Sequence, residues 1–214
     1  MQHIEFFHID HFENDYHRVK PVKELEGFID FFWETKFDEL LQQYPEGFSD
    51  ALFPNIGYTY LINLGTPFIM QVAEKKFSMK TDGFLPRNKS IECYHCAGNK
   101  LFGIKFKISP IIFKTKVNFG EYREYIYPLS YLMEQSVIDR AKKATSFDER
   151  VQILNNYFQS IVENYTGSWE PIRIVSEILE HCNSKNDFTT SVEDFAKQYT
   201  ISARTLHRYF ETTT

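Results

Sequence analysis

The chain has 214 residues, 43% of them hydrophobic and 25% charged, with 21 Phe and 13 Tyr. That length suits one large domain, or a domain of roughly 150 residues with a small appendage, and the aromatic content is ample for a real core. A formal charge of -5 excludes a protein that coats nucleic acid by bulk positive charge, while leaving room for a small basic helix on an acidic body.

The opening "MQHIEFFHIDHF" has no basic region, no continuous apolar run and no small-residue cleavage site, so it does not read as a signal peptide. No window offers the roughly 18 apolar residues of a membrane helix, and Cys93, Cys96 and Cys182 are too few and too unevenly placed for a disulfide framework. A reducing cytoplasm, with no membrane partner, is the expected setting. His3, His8 and His11 lie close to Asp10 in a spacing that fits no familiar metal site, and read as surface residues.

Residues 21–33, "PVKELEGFIDFFW", place Val22, Leu25, Phe28, Ile29 and Phe32 at helical spacing behind Pro21, which predicts a short amphipathic helix. Core packing is the expected role of Phe31, Phe32 and Trp33. From about residue 48 to 113 the texture changes to short runs rich in Ile, Tyr, Phe and Thr, punctuated by Gly, Pro and Asn. Strands without intervening helices predict an antiparallel sheet, sandwich or small barrel. "AGNK" at 97–100 reads as the hairpin turn between the last two strands, because Gly98 and Asn99 tolerate positive φ. Within "ECYHC", strand alternation puts Cys93 and His95 on one face and Cys96 on the other, a poor geometry for a Cys-x-x-Cys chelate, so no metal or cofactor is expected and the cysteines read as small hydrophobes.

After Pro110 the pattern turns helical. "SFDERVQILNNYFQSIVENY" begins with Ser146 and Glu149 at capping-box spacing and aligns Val151, Leu154, Tyr157, Phe158, Ile161 and Val162 on one face. "TGSWEP" at 166–171 reads as a linker, dividing the chain into units at 1–165 and 171–214. Three helix-sized pieces follow. In "SVEDFAKQYT" the buried face is expected to be Val192, Phe195 and Ala196; in "SARTLHRYFET" Ser202 caps, Leu206, Tyr209 and Phe210 turn inward, and Arg204, His207 and Arg208 share the outward stripe. That is how a recognition helix offers side chains to the major groove, although any amphipathic helix has a polar face.

"FAKQYTISARTLHRYF" resembles the first helix-turn-helix of the AraC-type (AraC/XylS-like) transcription regulators, through Phe195, Ala196, Ile201, Ser202, Arg204, Leu206, Arg208 and Phe210. Thr200 stands where that family usually has Gly, and Ala203 where it often has Pro. The family motif continues into a second helix-turn-helix, whereas this sequence ends at "ETTT", so the DNA-binding region is expected to be truncated. Upstream, "LEGFIDFFWE", "YPEGFSDALF" leading into "YTYLINLG", "FGIKF" and "PLSYL" follow the order of the sensor half in one AraC-like subgroup. The resemblance implies an α+β chain: an antiparallel β-rich, cupin- or barrel-like sensor and dimerisation domain with packed helices, then an all-α helix-turn-helix region. It places Arg204, His207 and Arg208 at base-contacting positions and Ser202 or Thr205 near a phosphate. An operator DNA, a small-molecule effector that the sequence does not identify, and a second copy of the chain are the implied partners.

Local charge tempers the DNA reading. Residues 166–214 carry five Lys or Arg against seven Asp or Glu, a balance of -2, so phosphate contacts are few and this chain should bind DNA weakly. The competing expectations are a stand-alone small-molecule-binding or dimerisation module, whose terminal helices only complete the fold, and a metal-dependent enzyme at Cys93, His95 and Cys96. No nucleophile elbow, phosphate loop, dinucleotide fingerprint or zinc-protease motif is present to support catalysis.

Overall fold

The computed structural model describes residues 9–214 apart from 55–56, 87, 115–118, 123 and 188; His3 and His8 therefore lie outside the described residues. The chain opens with helix α1 (Ile9–Asn14), then strand β1 (Tyr16–Val19) and strand β2 (Ile29–Lys36), followed by the short helix α2 (Asp38–Gln43). Strands β3 (Phe48–Leu52), β4 (Thr59–Asn63), β5 (Phe68–Val72), β6 (Lys75–Met79), β7 (Gly83–Leu85), β8 (Ile91–His95) and β9 (Lys100–Phe106) come next. The two-residue β10 (Tyr127–Pro128) precedes helices α3 (Gln135–Lys143), α4 (Phe147–Glu163), α5 (Glu170–Lys185), α6 (Val192–Gln198) and α7 (Ala203–Thr213). Among the described residues no helix is long and apolar enough to cross a membrane.

The strands form two antiparallel sheets, one ordered β1-β2-β9-β4-β7-β10 and the other β3-β8-β5-β6. Alternation along the strands builds two cores from the larger sheet. Phe31 and Trp33 of β2, Leu61 of β4 and Leu101 of β9 meet Leu52, Phe68, Met70 and Ile91 of the smaller sheet. Phe32, Tyr60, Ile62, Phe102 and Ile104 face the other way, onto Val137, Leu154, Phe158 and their neighbours in the helices. The result is a three-layer α+β arrangement: small sheet, large sheet, helices.

Because β2 is central and covered on both faces, it reads as a near-continuous apolar run. That explains the failure of the helix expected over 21–33. Residues Lys23–Leu25 form a single 3-10 turn, Gly27 follows, and "IDFFWETK" is extended, with a register shift between Ile29 and Phe31 against β9. The hairpin expected at 97–100 is also corrected. Gly98 does take φ 76°, but β8 and β9 belong to different sheets, so this turn carries the chain from one sheet to the other.

Helix α4 begins as the sequence implies. Ser146 Oγ accepts from Glu149 N at 3.2 Å, while the Glu149 carboxylate accepts from Thr145 N at 2.7 Å; these bonds hold that carboxyl below its usual range. Arg150 of α4 reaches back to the sheet, donating to buried Glu34 at 3.0 Å, and Lys100 pairs with the same carboxylate at 2.8 Å. A charge that alternation turns toward the helical layer is thereby paired twice.

Trp33 lies opposite Gly103 in the β2–β9 register, and a Cβ on Gly103 would come within 2.1 Å of the indole. The bare backbone of Gly103 is what lets the ring lie flat on the sheet. Gly103→Ala should therefore cost about 1–3 kcal/mol of stability by overpacking, read as a lower urea midpoint with an unchanged m-value.

Candidate functional site

The last three helices are each defined by local chemistry. Proline stands in the first turn of α5, and Asn186 ends it in the left-handed region at φ 50°. Asp187 then gathers the loop: its carboxylate accepts from Thr189 N at 2.9 Å and from the Thr189 and Thr190 hydroxyls at 2.8 Å, with His181 at 3.2 Å. These donors, the Thr189 amide first, hold the carboxyl well below its ordinary range. Helix α6 is capped by Ser191, whose Oγ accepts from Asp194 N at 3.1 Å.

The turn into α7 is a Schellman motif. Ile201 N donates to Ala196 O at 3.0 Å and Thr200 N to Lys197 O at 3.1 Å, with Thr200 at φ 57°. A β-branched residue thus occupies the left-handed position that the resemblance assigns to Gly. Ser202 caps α7, its Oγ accepting from Thr205 N at 3.0 Å, and the two hydroxyls lie 2.9 Å apart.

This turn packs α7 across α6. Leu206 (2% exposed) meets Phe195 and Ala196 together with Ile174 and Ile178 of α5. Tyr209 and Phe210 are half-buried and touch both this small core and the core of the β-domain, and Tyr209 Oη donates to Glu170 at 3.1 Å. Arg204, His207 and Arg208 are all exposed and share the opposite face, while Ser202 is exposed and Thr205 half-buried at the helix start. All five residues singled out in the sequence therefore gather at the N-terminal half of α7. Val192 departs from expectation: it is 37% exposed, because Ser191 is the cap and Val192 begins the helix on its solvent side.

Residues 166–171 do not hang free between two bodies. Trp169 lies against Phe28 and Phe113 at ring separations of 6.0 and 5.1 Å, and Tyr165 stacks on Phe113 at 4.0 Å. Helix α5 continues this union, with Ile172 and Val175 in the core of the β-domain. Beside it, Ser176, Glu180 and Asn183 form one wall of a cleft of about 320 Å³ whose other wall includes Arg18, Lys20, Lys105 and Lys107. On that wall Lys20 pairs with Asp30 at 2.9 Å, and Arg18 covers the ring of Phe31 at 4.9 Å.

In β8, Cys93 and His95 point inward and Cys96, past the strand, is exposed, as alternation requires. Beside them lies Asp50, directly opposite Cys93 in the β3–β8 register. Sequence spacing gave no hint of it, since 43 residues separate the two; an aspartate in the apolar phase of "FSDAL" was the available signal. Burial, with Asp50 alongside, pushes the Cys93 thiol well above its ordinary range. His11, expected at the surface, is 4% exposed and bonded to Thr35 at 2.9 Å, because it stacks on Phe37 under the edge of the sheet.

No protein-family model matches the chain, and no curated protein does. Among solved structures it is similar to the AraC-like transcriptional activator CuxR, at 10% identity and a TM-score of 0.37, over 94% of this chain and 82% of that one.

Thr200 provides a direct check on the turn. It is exposed, so replacing it loses no packing, and Thr200→Gly should relieve about 1 kcal/mol of left-handed strain, raising the urea midpoint while leaving the helix content of the circular dichroism spectrum unchanged.

Proposed function

We propose that the chain is a ligand-responsive DNA-binding transcription regulator of AraC-like type. On this reading residues 1–165 sense and dimerise in the cytoplasm, residues 171–214 read DNA, and the chain is not an enzyme. The observation that carries it is the exposure of Arg204, His207 and Arg208 on a single face of α7, while the other face of that helix is consumed by packing. A stand-alone small-molecule-binding or dimerisation module whose last helices complete the fold would carry these guanidinium groups only as the polar face that any amphipathic helix has.

The chemistry follows from placement. Arg204 and Arg208 are i and i+4, so their guanidinium groups reach neighbouring base steps when α7 lies in a major groove, and each is a bidentate donor for guanine. Ser202 and Thr205 sit where the helix start meets a phosphate. Six to ten Lys or Arg phosphate contacts, as in strong non-specific binders, are absent from this segment, so affinity depends on base contacts and on pairing two chains on two half-sites. The effector's place is the cleft between the Arg18–Lys107 wall and α5, whose cationic side favours an anionic or strongly polar molecule. Occupying it presses on the helix that carries α6 and α7, which is the differential contact an effector needs in order to bias their position.

The test is immunoprecipitation of the tagged protein on its own chromosomal DNA, with and without Arg204→Ala and Arg208→Ala. Weak but discrete enrichment is expected for the native chain, in keeping with its few phosphate contacts; affinity for a recovered site should fall about 10- to 100-fold for each guanidinium removed, with an unchanged melting temperature. Absence of enriched sites, or enrichment that survives the double substitution, contradicts the proposal.

A further inference from the structure

The interior of the β-domain holds a polar cluster that the DNA-reading account does not use. Asp50, Cys93 and His95 are all buried, and one ligand atom from each lies within 4.8 Å of the other two. They line a cavity of about 10 Å³ together with Thr35 and a set of apolar side chains that includes Trp33, Phe37, Leu61 and Met70, which is room for a single water-sized particle.

The hydrogen bonding is what makes this cluster informative. His95 Nδ1 lies 2.5 Å from Asn99 Oδ1, an oxygen that can only accept, so Nδ1 carries the proton. In the neutral ring the lone pair of Nε2 points into the cluster, 3.3 Å from Asp50 Oδ1, and neither atom has a hydrogen-bond partner. Two bare acceptors face each other inside an apolar shell, with the rings of Phe37, Phe48 and Phe68 packed around the imidazole. Such a pair is costly unless a proton or a metal cation sits between them.

We infer that Asp50 Oδ1, Cys93 Sγ and His95 Nε2 bind a divalent transition-metal ion of zinc type inside the β-domain. With metal–nitrogen and metal–oxygen bonds of about 2.0–2.1 Å, an edge of 3.3 Å subtends about 107° at the ion, as in a tetrahedral site. The edge to sulfur in such a site is about 3.5 Å, against ligand atoms that all lie within 4.8 Å of one another here. On binding, the thiol proton leaves to solvent and the thiolate bonds the ion. One carboxylate and one thiolate then neutralise the two positive charges, leaving no net charge in the interior. Asn99 is the positioning residue that presents Nε2. Asp50 and Cys93 face each other across paired strands, so the site is complete once β3 and β8 have paired. The inference stands whether or not the chain reads DNA.

The test is titration of the reduced, chelator-stripped full chain with cobalt(II), followed by zinc(II). One equivalent of cobalt is expected, with a thiolate-to-cobalt charge-transfer band and the intense visible bands of an ion of low coordination number, displaced by one equivalent of zinc. Cys93→Ala should abolish the charge-transfer band, Asn99→Ala should weaken binding about 10- to 100-fold, and Cys96→Ser and Cys182→Ser should leave both signals intact. Should Cys93→Ala fail to fold, the native stoichiometry and the Asn99→Ala affinity decide. A folded native chain that takes up no cobalt overturns the inference and leaves a proton-bridged Asp50–His95 pair; so does a charge-transfer band that survives Cys93→Ala or is lost in Cys96→Ser.

Discussion

Helix α5 is the member on which the rest of the structure depends, because it belongs to two cores. Ile172, Val175 and Leu179, at i, i+3 and i+7, pack against the β-domain, whereas Ile174, Ile178 and Cys182, at i, i+4 and i+8, pack under α6 and α7. The two stripes adjoin on the helix, so a single rod is buried over a wide arc and only its remaining face, with the Arg173–Glu177 pair, meets solvent. Each buried Ile or Val contributes about 1.5–3 kcal/mol, so neither set can detach without exposing the other's neighbours. Tyr165 and Trp169, wedged on Phe113 and Phe28, extend the joint to the segment before the helix. A displacement of α5 is therefore transmitted to α7 by contact rather than through a tether.

The polar chemistry is distributed around this joint in a consistent way. Charges that lie inside are compensated: Glu34 by Arg150 and Lys100, Asp82 by Lys142 at 3.0 Å and by the amide of Asn63 at 2.9 Å. Asp50 and His95 are the exception among the described residues in pairing at a distance and angle that satisfy neither atom. Outside, the cations of α7 are left uncovered on a segment whose overall balance is negative.

Much of this was legible in the sequence where local chemistry decides structure. Ser146 and Ser202 each cap the helix they precede, and Leu206 faces in while Arg204, His207 and Arg208 face out, because caps and 3.6-residue periodicity act within a few residues. Where tertiary context decides, local periodicity misleads. The run "FIDFFW" looks helical because a strand covered on both faces loses its alternation, and only β1 and β9 on either side of it explain its conformation. Gly98 turns as expected, yet which sheet the chain enters next depends on partners 35 to 70 residues upstream, from Ile29 to Asn63. Asp50 was invisible as a partner of Cys93 and His95 for the same reason: strand register, not spacing, brings them together.

If α5 makes the β-domain and the last two helices one mechanical unit, native-state hydrogen exchange will reveal it: the amides of α5 are expected to exchange only through the same global opening as β2 and β9, with matching free energies and denaturant dependence. Exchange of α5, α6 and α7 together through a smaller opening, while β2 and β9 stay protected, would contradict it.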